Sequence, residues 1–297
     1  MSFIKLTDDK MVNRLRWVMA AVIIFSMANT LAGQPAGYWH NAALAIRGDG
    51  LSITNPTNHT FEFFLGSGWL PFVFAALAYL AGMLLLASVL PRKPALIFIF
   101  SVIFGHYYGG SNWLAVRWHL GFQGPIFYSL ALSACIVFAA FPSNGAAHAI
   151  KSLRWIMVFA LLTDALMTLI GQPHGYWHHP HLVDEGNQFS KFFLEHGWYV
   201  YVLEQLIICV AFFWLVSVLS NRWVLIIAFG FIFGGFSGAS NWFFYRWIWG
   251  MQAPVIFGCV LSTAIVYWAF FLKKKVQIDI ISTKEKLTIP ALLCRIC

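Results

Sequence analysis

The chain has 297 residues, of which 60% are hydrophobic and only 10% charged, and its formal net charge is +8. Soluble domains carry roughly a quarter charged residues, so this composition excludes a water-soluble globular fold and requires lipid to solvate much of the surface. No basic stripe interleaved with aromatics accompanies the positive charge, so nucleic acid is excluded as a partner and the lipid bilayer is the expected one.

Taken in chain order, eight apolar stretches are long enough for a bilayer that needs roughly 20 helical residues per crossing. They cover 16–33, 69–90, 95–117, 125–141, 154–172, 198–219, 223–246 and 254–272. The segments divide as a cytoplasmic start (1–15), four helices (16–142), a cytoplasmic linker (143–153), four more helices (154–272) and a basic tail (273–297). A basic start and small residues near Gly33 give the first stretch the look of a signal peptide. Its repeat counterpart, Arg154 to Gly171, lies mid-chain, which predicts that the first stretch is retained as a structural helix.

The two halves repeat one another. GQPAGYWH at Gly33 to His40 returns as GQPHGYWH at Gly171 to His178, an offset of 138. FFLGSGW at Phe63 returns as FFLEHGW at Phe192, and SNWLAVRW at Ser111 returns as SNWFFYRW at Ser240, both at an offset of 129. Four helices per unit is an even number, so both units enter from the same side, and the expected fold is an all-α integral membrane protein of two parallel four-helix repeats with pseudo-twofold symmetry. Fifteen of the nineteen Lys and Arg residues fall on one face under this assignment, and only Arg47, Arg117, Lys191 and Arg246 on the other. The positive-inside rule then puts both termini in the cytoplasm, here of a bacterial inner membrane, and every repeated motif at the outer face.

At that face Pro35 and Gly37, like Pro173 and Gly175, stop their helices. The tyrosines and tryptophans that follow read as an interfacial aromatic belt. Gln34 and Gln172 are not explained by a belt, nor are Asn112 with Arg117 and Asn241 with Arg246, which the third helix of each unit lifts outward. Together with Trp39 and Trp177 they predict a polar, aromatic-lined mouth at the repeat interface that binds or transports a small polar or anionic solute. Gly105-x3-Gly109 and Gly230-x3-Gly234-x3-Gly238 predict close helix contacts on those third helices.

Two features belong to the second unit alone. Asp164 aligns with Ser26 and Glu204 with Ala75. A carboxylate in hydrocarbon is costly unless paired, protonated or wetted, so both are candidate proton-coupling groups, with Thr168 and Gln205 as nearby partners. The second outer loop also concentrates His174, His178, His179 and His181, with His196 further on, where the first unit offers His40 in register. Imidazole suits zinc, copper and iron, so these six are candidate ligands of a transition metal, and His40 with His178 of the two faces of a haem. A membrane enzyme or redox protein is therefore the alternative to a solute-binding protein, and a structural assembly subunit a third reading. Cysteines form no disulfide pattern, and Cys294-x2-Cys297 in the tail reads as reduced thiols.

Overall fold

A computed structural model describes residues 9–41, 43, 59–141, 146–185, 188–219, 222–246 and 252–271. Among them the chain forms ten α-helices: α1 (Lys10–Ala32), α2 (His59–Gly66), α3 (Trp69–Val89), α4 (Arg92–Asn112), α5 (Gln123–Ala140), α6 (Ala146–Gly171), α7 (Gln188–Glu195), α8 (Trp198–Val218), α9 (Arg222–Tyr245) and α10 (Gln252–Ile265). Seven of these stretches are long and apolar enough to cross a membrane, and α4 is not among them. Its length matches its neighbours, but its last turns carry His106, Tyr107, Tyr108, Ser111 and Asn112, which lower the mean hydropathy. Protein rather than lipid surrounds much of α4, since eleven of its 21 residues are buried. Tail residues Cys294 and Cys297 and loop residue Arg47 lie outside the described residues.

Helix starts follow local chemistry. The Asp9 carboxylate accepts from the amides of Met11 and Val12 at 2.9 and 3.4 Å, capping α1, and its other oxygen meets Arg92 Nε at 2.9 Å. Pro125 and Pro254 sit in the first turns of α5 and α10, where a missing amide hydrogen costs nothing. Two basic residues of the repeat close helices on the basic face. Arg16 donates through Nε and Nη2 to the Ala87 carbonyl at the end of α3 (3.2 and 2.9 Å), and Arg154 donates to Ser217 Oγ at the end of α8 (3.0 Å). A cation there complements the carbonyl end of the helix dipole.

The core lies where α4 and α9 meet. Phe100 stacks on Phe229 with planes 2° apart, and Phe104 contacts Phe233 and Phe236 with ring centroids 4.7 and 4.8 Å away. Tyr107 joins them against Phe233, and all six rings are fully buried. Phe100 and Phe229, like Phe104 and Phe233, are 129 positions apart, so each ring faces the residue at its own repeat offset. The fourth helix of each half then crosses over, α5 packing on α9 and α10 on α4. What fills the middle of the interface is aromatic, so the polar mouth expected between the halves does not extend to this depth. Outer helices face the other way: a share of 72% of the α9 span is buried against 17% for α3, which leaves α3 a lipid-facing rim.

Close helix approach occurs on α9 at two of its three predicted glycines, Gly230 (3.1 Å from Leu130 Cδ2 for an added Cβ) and Gly238, and also at Gly235, which was not predicted. A Cβ on Gly235 would come within 2.7 Å of the Ala160 carbonyl, one on Gly238 would overlap the Asp164 carboxylate, and one on Gly171 would overlap the Trp242 ring. These three contacts run in the same direction along both chains, so α6 and α9 are parallel and nearly touch backbone to backbone. Gly105 and Gly234 have open space around them, and Gly109 only ordinary contact with Ser26 Oγ at 3.9 Å. Predicted contacts at Gly105 and Gly234 are therefore absent, and α6 crosses α9 along the face of Gly235 and the predicted Gly238.

Candidate functional site

The two GQPxGYWH segments fold alike. After each proline the chain makes one 3-10 turn, Ala36–Trp39 and His174–Trp177, which rotates the tyrosine inward. Tyr38 OH donates to the Leu65 carbonyl and Tyr176 OH to the Leu194 carbonyl, both at 3.0 Å, and each ring is only 1% exposed. Burial raises both phenols above their ordinary range, Tyr176 to about 12, so they remain protonated donors. The belt reading thus fails for the tyrosines. Trp39 and Trp177 do face outward, tilted against Trp69 and Trp198 at centroid distances of 6.3 and 6.4 Å.

Both glutamines turn out to be buried. Gln34 Nε2 donates to the Thr30 carbonyl at 3.1 Å and Gln172 Nε2 to the Thr168 carbonyl at 3.0 Å. Gln172 also reaches the loop that follows Trp177, its Nε2 donating to the Asp184 carbonyl (3.2 Å) and its Oε1 accepting from the Asp184 amide (2.9 Å). That two-way bond fastens the loop over the end of α6. Alanine at Gln172 removes two bonds worth about 0.5–1.5 kcal/mol each, so amide exchange at Asp184 is expected to accelerate roughly tenfold or more. Unchanged exchange there would rule out the clamp.

The remaining members of the predicted mouth lie towards the ends of α4 and α9. Asn112 is buried at the end of α4, and Asn241 on α9 has its Oδ1 shut away without a hydrogen-bond partner among the described residues. Arg246 is exposed, and the Arg117 side chain lies outside the described residues.

The histidines do not form a ligand set. His40, His174, His178, His179, His181 and His196 are all exposed, and no three His, Cys, Asp or Glu side chains among the described residues converge as a metal requires. His179 and His181 come closest, with ring centroids 5.7 Å apart, while His196 Nδ1–H donates to the Phe192 carbonyl at 2.7 Å. Pro180 explains the spread: it forces His179 into extended backbone (φ −134°, ψ 83°) and starts a second 3-10 turn, so no helical face carries successive imidazoles.

The acids lie in a different setting, enclosed by the helices of the second unit. Asp164 points from α6 at Gly238 of α9, enclosed by protein yet only partly shielded from the surface. Glu185, in the clamped outer loop, lies within electrostatic reach of it. On α8 the Tyr201 hydroxyl meets that of Thr168 and senses Asp164, Glu185 and Glu204 together. Glu204, one turn along from Tyr201 on the buried face of α8, is 7% exposed. Its Oε2 accepts from Gln205 Nε2 at 2.8 Å, and its Oε1 is buried with no partner among the described residues. Tyr201 and Glu185 were not predicted, although Tyr201 was legible three residues before Glu204 on the same helix face. Glu185 has no such signal, since only the folded loop carries it to α6.

The first unit holds a lesser polar contact. His106 Nε2 is hydrogen-bonded to Tyr79 OH at 3.2 Å, and Asn29 accepts from Trp118 Nε1 at 2.6 Å. Comparison with protein families, with curated proteins and with solved structures found nothing that matches this chain.

Proposed function

We propose that this protein is a multi-pass transporter or receptor for a small polar solute, whose working site is the region of the second unit around Asp164 and whose activity is coupled to protons at Asp164 and Glu204. The carrying observation is the enclosure of Asp164 at the α6–α9 contact, with Tyr201 and Glu185 within its electrostatic reach and Glu204 within that of Tyr201. Carboxyls held in apolar surroundings exchange protons as their site opens or fills, which is the property that proton coupling requires. The membrane frame proposed is eight crossings, α4 included, in two parallel four-helix units. Its support is the pairing of residues 129 positions apart at the core and the matched tyrosine bonds of the two outer loops. The fifteen-to-four division of basic residues supports cytoplasmic termini in an inner (plasma) membrane. Gln34, Gln172, Trp39 and Trp177 then shape the outer rim, and Asn112, Asn241, Arg117 and Arg246 stand at the outer ends of the central helices.

Infrared titration of purified protein tests this without knowledge of the solute. The band of protonated carboxyl groups is expected to change with pH in the wild type and to lose a component in Asp164→Asn and another in Glu204→Gln, each variant still monodisperse. A spectrum whose pH response is the same in all three proteins would leave both acids as fixed structural groups and remove proton coupling.

A further inference from the structure

The two FFLxxGW words build the same corner. A short helix ends at Gly66 or Glu195, a glycine follows with φ +120° (Gly68) or +116° (Gly197), and the long apolar helix α3 or α8 starts on the next residue, Trp69 or Trp198. That backbone region is all but closed to residues with a side chain, so each corner separates two helices that would otherwise run on as one. Two residues lie between the short helix and the long one, which fixes α2 and α7 at the depth where α3 and α8 enter the bilayer.

Once docked, α7 still has three different faces. Leu194 is fully buried and its carbonyl takes the Tyr176 hydroxyl, so that stripe faces the protein. Gln188, Lys191 and Glu195, spaced i, i+3 and i+7, form a polar stripe on which Lys191 and Glu195 pair at 4.0 Å. Between these two stripes Phe189 and Phe192 are 58% and 55% exposed, and His196 tilts against Phe192 at a centroid distance of 4.6 Å. The same pattern recurs on α2. Leu65 is buried and takes the Tyr38 hydroxyl, while Phe63, 129 positions before Phe192, is 69% exposed.

The exposed rings adjoin a lipid-facing surface. Trp69 and Leu70 on α3, and Trp198 and Tyr199 on α8, are exposed at the starts of the two long helices that are least buried by protein. A helix with a phenylalanine stripe beside a polar one, held at that depth, is suited to the boundary between headgroups and acyl chains. The paired charges of Lys191 and Glu195 cancel, so the apolar rings and not attraction to anionic lipid carry the contact.

We infer that α7, with α2 as its counterpart, is an in-plane anchor whose phenylalanine stripe enters the headgroup–acyl boundary of the leaflet at this end of the bundle. The anchor ties to the membrane surface the loop that Gln172 clamps, since Asp184 lies four residues before α7. It is independent of the proton-coupled site proposed above.

Spin labelling of the full chain tests the anchor. Single cysteines at Phe63→Cys, Phe192→Cys and Gln188→Cys, in a background without Cys135, Cys209, Cys259, Cys294 and Cys297, carry the nitroxide in phosphatidylcholine vesicles with and without phosphatidylglycerol. At 63 and 192, collision with oxygen is expected to exceed collision with a water-soluble nickel chelate several-fold, at a depth of about 5–10 Å, and the ratio is expected to reverse at 188. Both vesicle types should give the same values. Phe189→Cys reads the same stripe in case the Phe192 variant does not fold. Nickel access at 192 equal to that at 188 would overturn the anchor, and so would little access of either probe at 192, which would mean that protein covers the stripe. Entry into lipid only with phosphatidylglycerol present would overturn the apolar contact in favour of lipid charge.

Discussion

Gly235→Leu is expected to abolish the monodisperse protein, while Gly82→Leu leaves its yield unchanged. Gly235 lies where α9 meets the backbone of α6, and even one added carbon would stand 2.7 Å from the Ala160 carbonyl and 2.8 Å from its carbonyl carbon. Neither atom can turn aside as a side chain would. Overfilling a packed site commonly costs about 1–3 kcal/mol, and here the helices must separate along the contact that also positions Asp164, so the loss should exceed that range. Gly238→Leu should behave likewise, since its Cβ would fall on the Asp164 carboxylate, and Gly109→Leu should be milder. Size-exclusion profiles of the four variants at equal expression decide the matter. Equal peaks for Gly235→Leu and Gly82→Leu would mean that α6 and α9 do not approach as described.

Tyr176→Ala should lower the unfolding midpoint more than any substitution of the exposed outer aromatics, with Tyr176→Phe intermediate. The ring is 1% exposed beside Ala165, Leu194 and Tyr201, so truncation opens a cavity on the scale of about 3–5 kcal/mol for a buried aromatic. Removing only the hydroxyl leaves the Leu194 carbonyl with its remaining bond from the Gly197 amide at 3.0 Å, and costs about 1 kcal/mol. Tyr38 occupies the same setting against Leu65 and Phe72, so its two variants should rank in the same order. Thermal unfolding followed by tryptophan fluorescence would check both pairs, and a Trp177→Ala shift as large as that of Tyr176→Ala would contradict the inward-facing tyrosine.

One sequence difference between the halves accompanies the close helix crossing found in only one of them. Where α9 has Gly235, α4 has His106, whose ring takes the space a close crossing needs and pairs with Tyr79. Backbones of α1 and α4 therefore stay further apart, and Ser26 in place of Asp164 touches Gly109 only at van der Waals distance. In the second unit a glycine stands in place of the ring, the helices meet closely there, and a carboxylate lies at the crossing. Phe72 and Ala75 stand in the first unit at the positions of Tyr201 and Glu204, which leaves that side apolar.

The amino-acid sequence by itself determined the helical membrane class, the positions of the long helices to within a few residues except at the starts of α1 and α6 and the ends of α4 and α10, the internal duplication and the two asymmetric acids. Those features are local: apolar runs, proline stops and repeated words are written in consecutive residues. Only the tertiary structure decided which glycines are close-packed, because GxxxG spacing marks a small-residue stripe without saying which face a partner crosses. It also decided that Tyr38 and Tyr176 are buried clamps, since a single 3-10 turn after proline reverses the side a residue faces. Gln172 became a clamp on Asp184 because its partner is a loop backbone twelve residues away, invisible to helical periodicity. The loop histidines stayed apart, being spread by Pro180 over two short turns, whereas Glu185 from that same loop was brought to Asp164. Loop geometry separates neighbours and joins strangers, and no spacing rule in the chain encodes it.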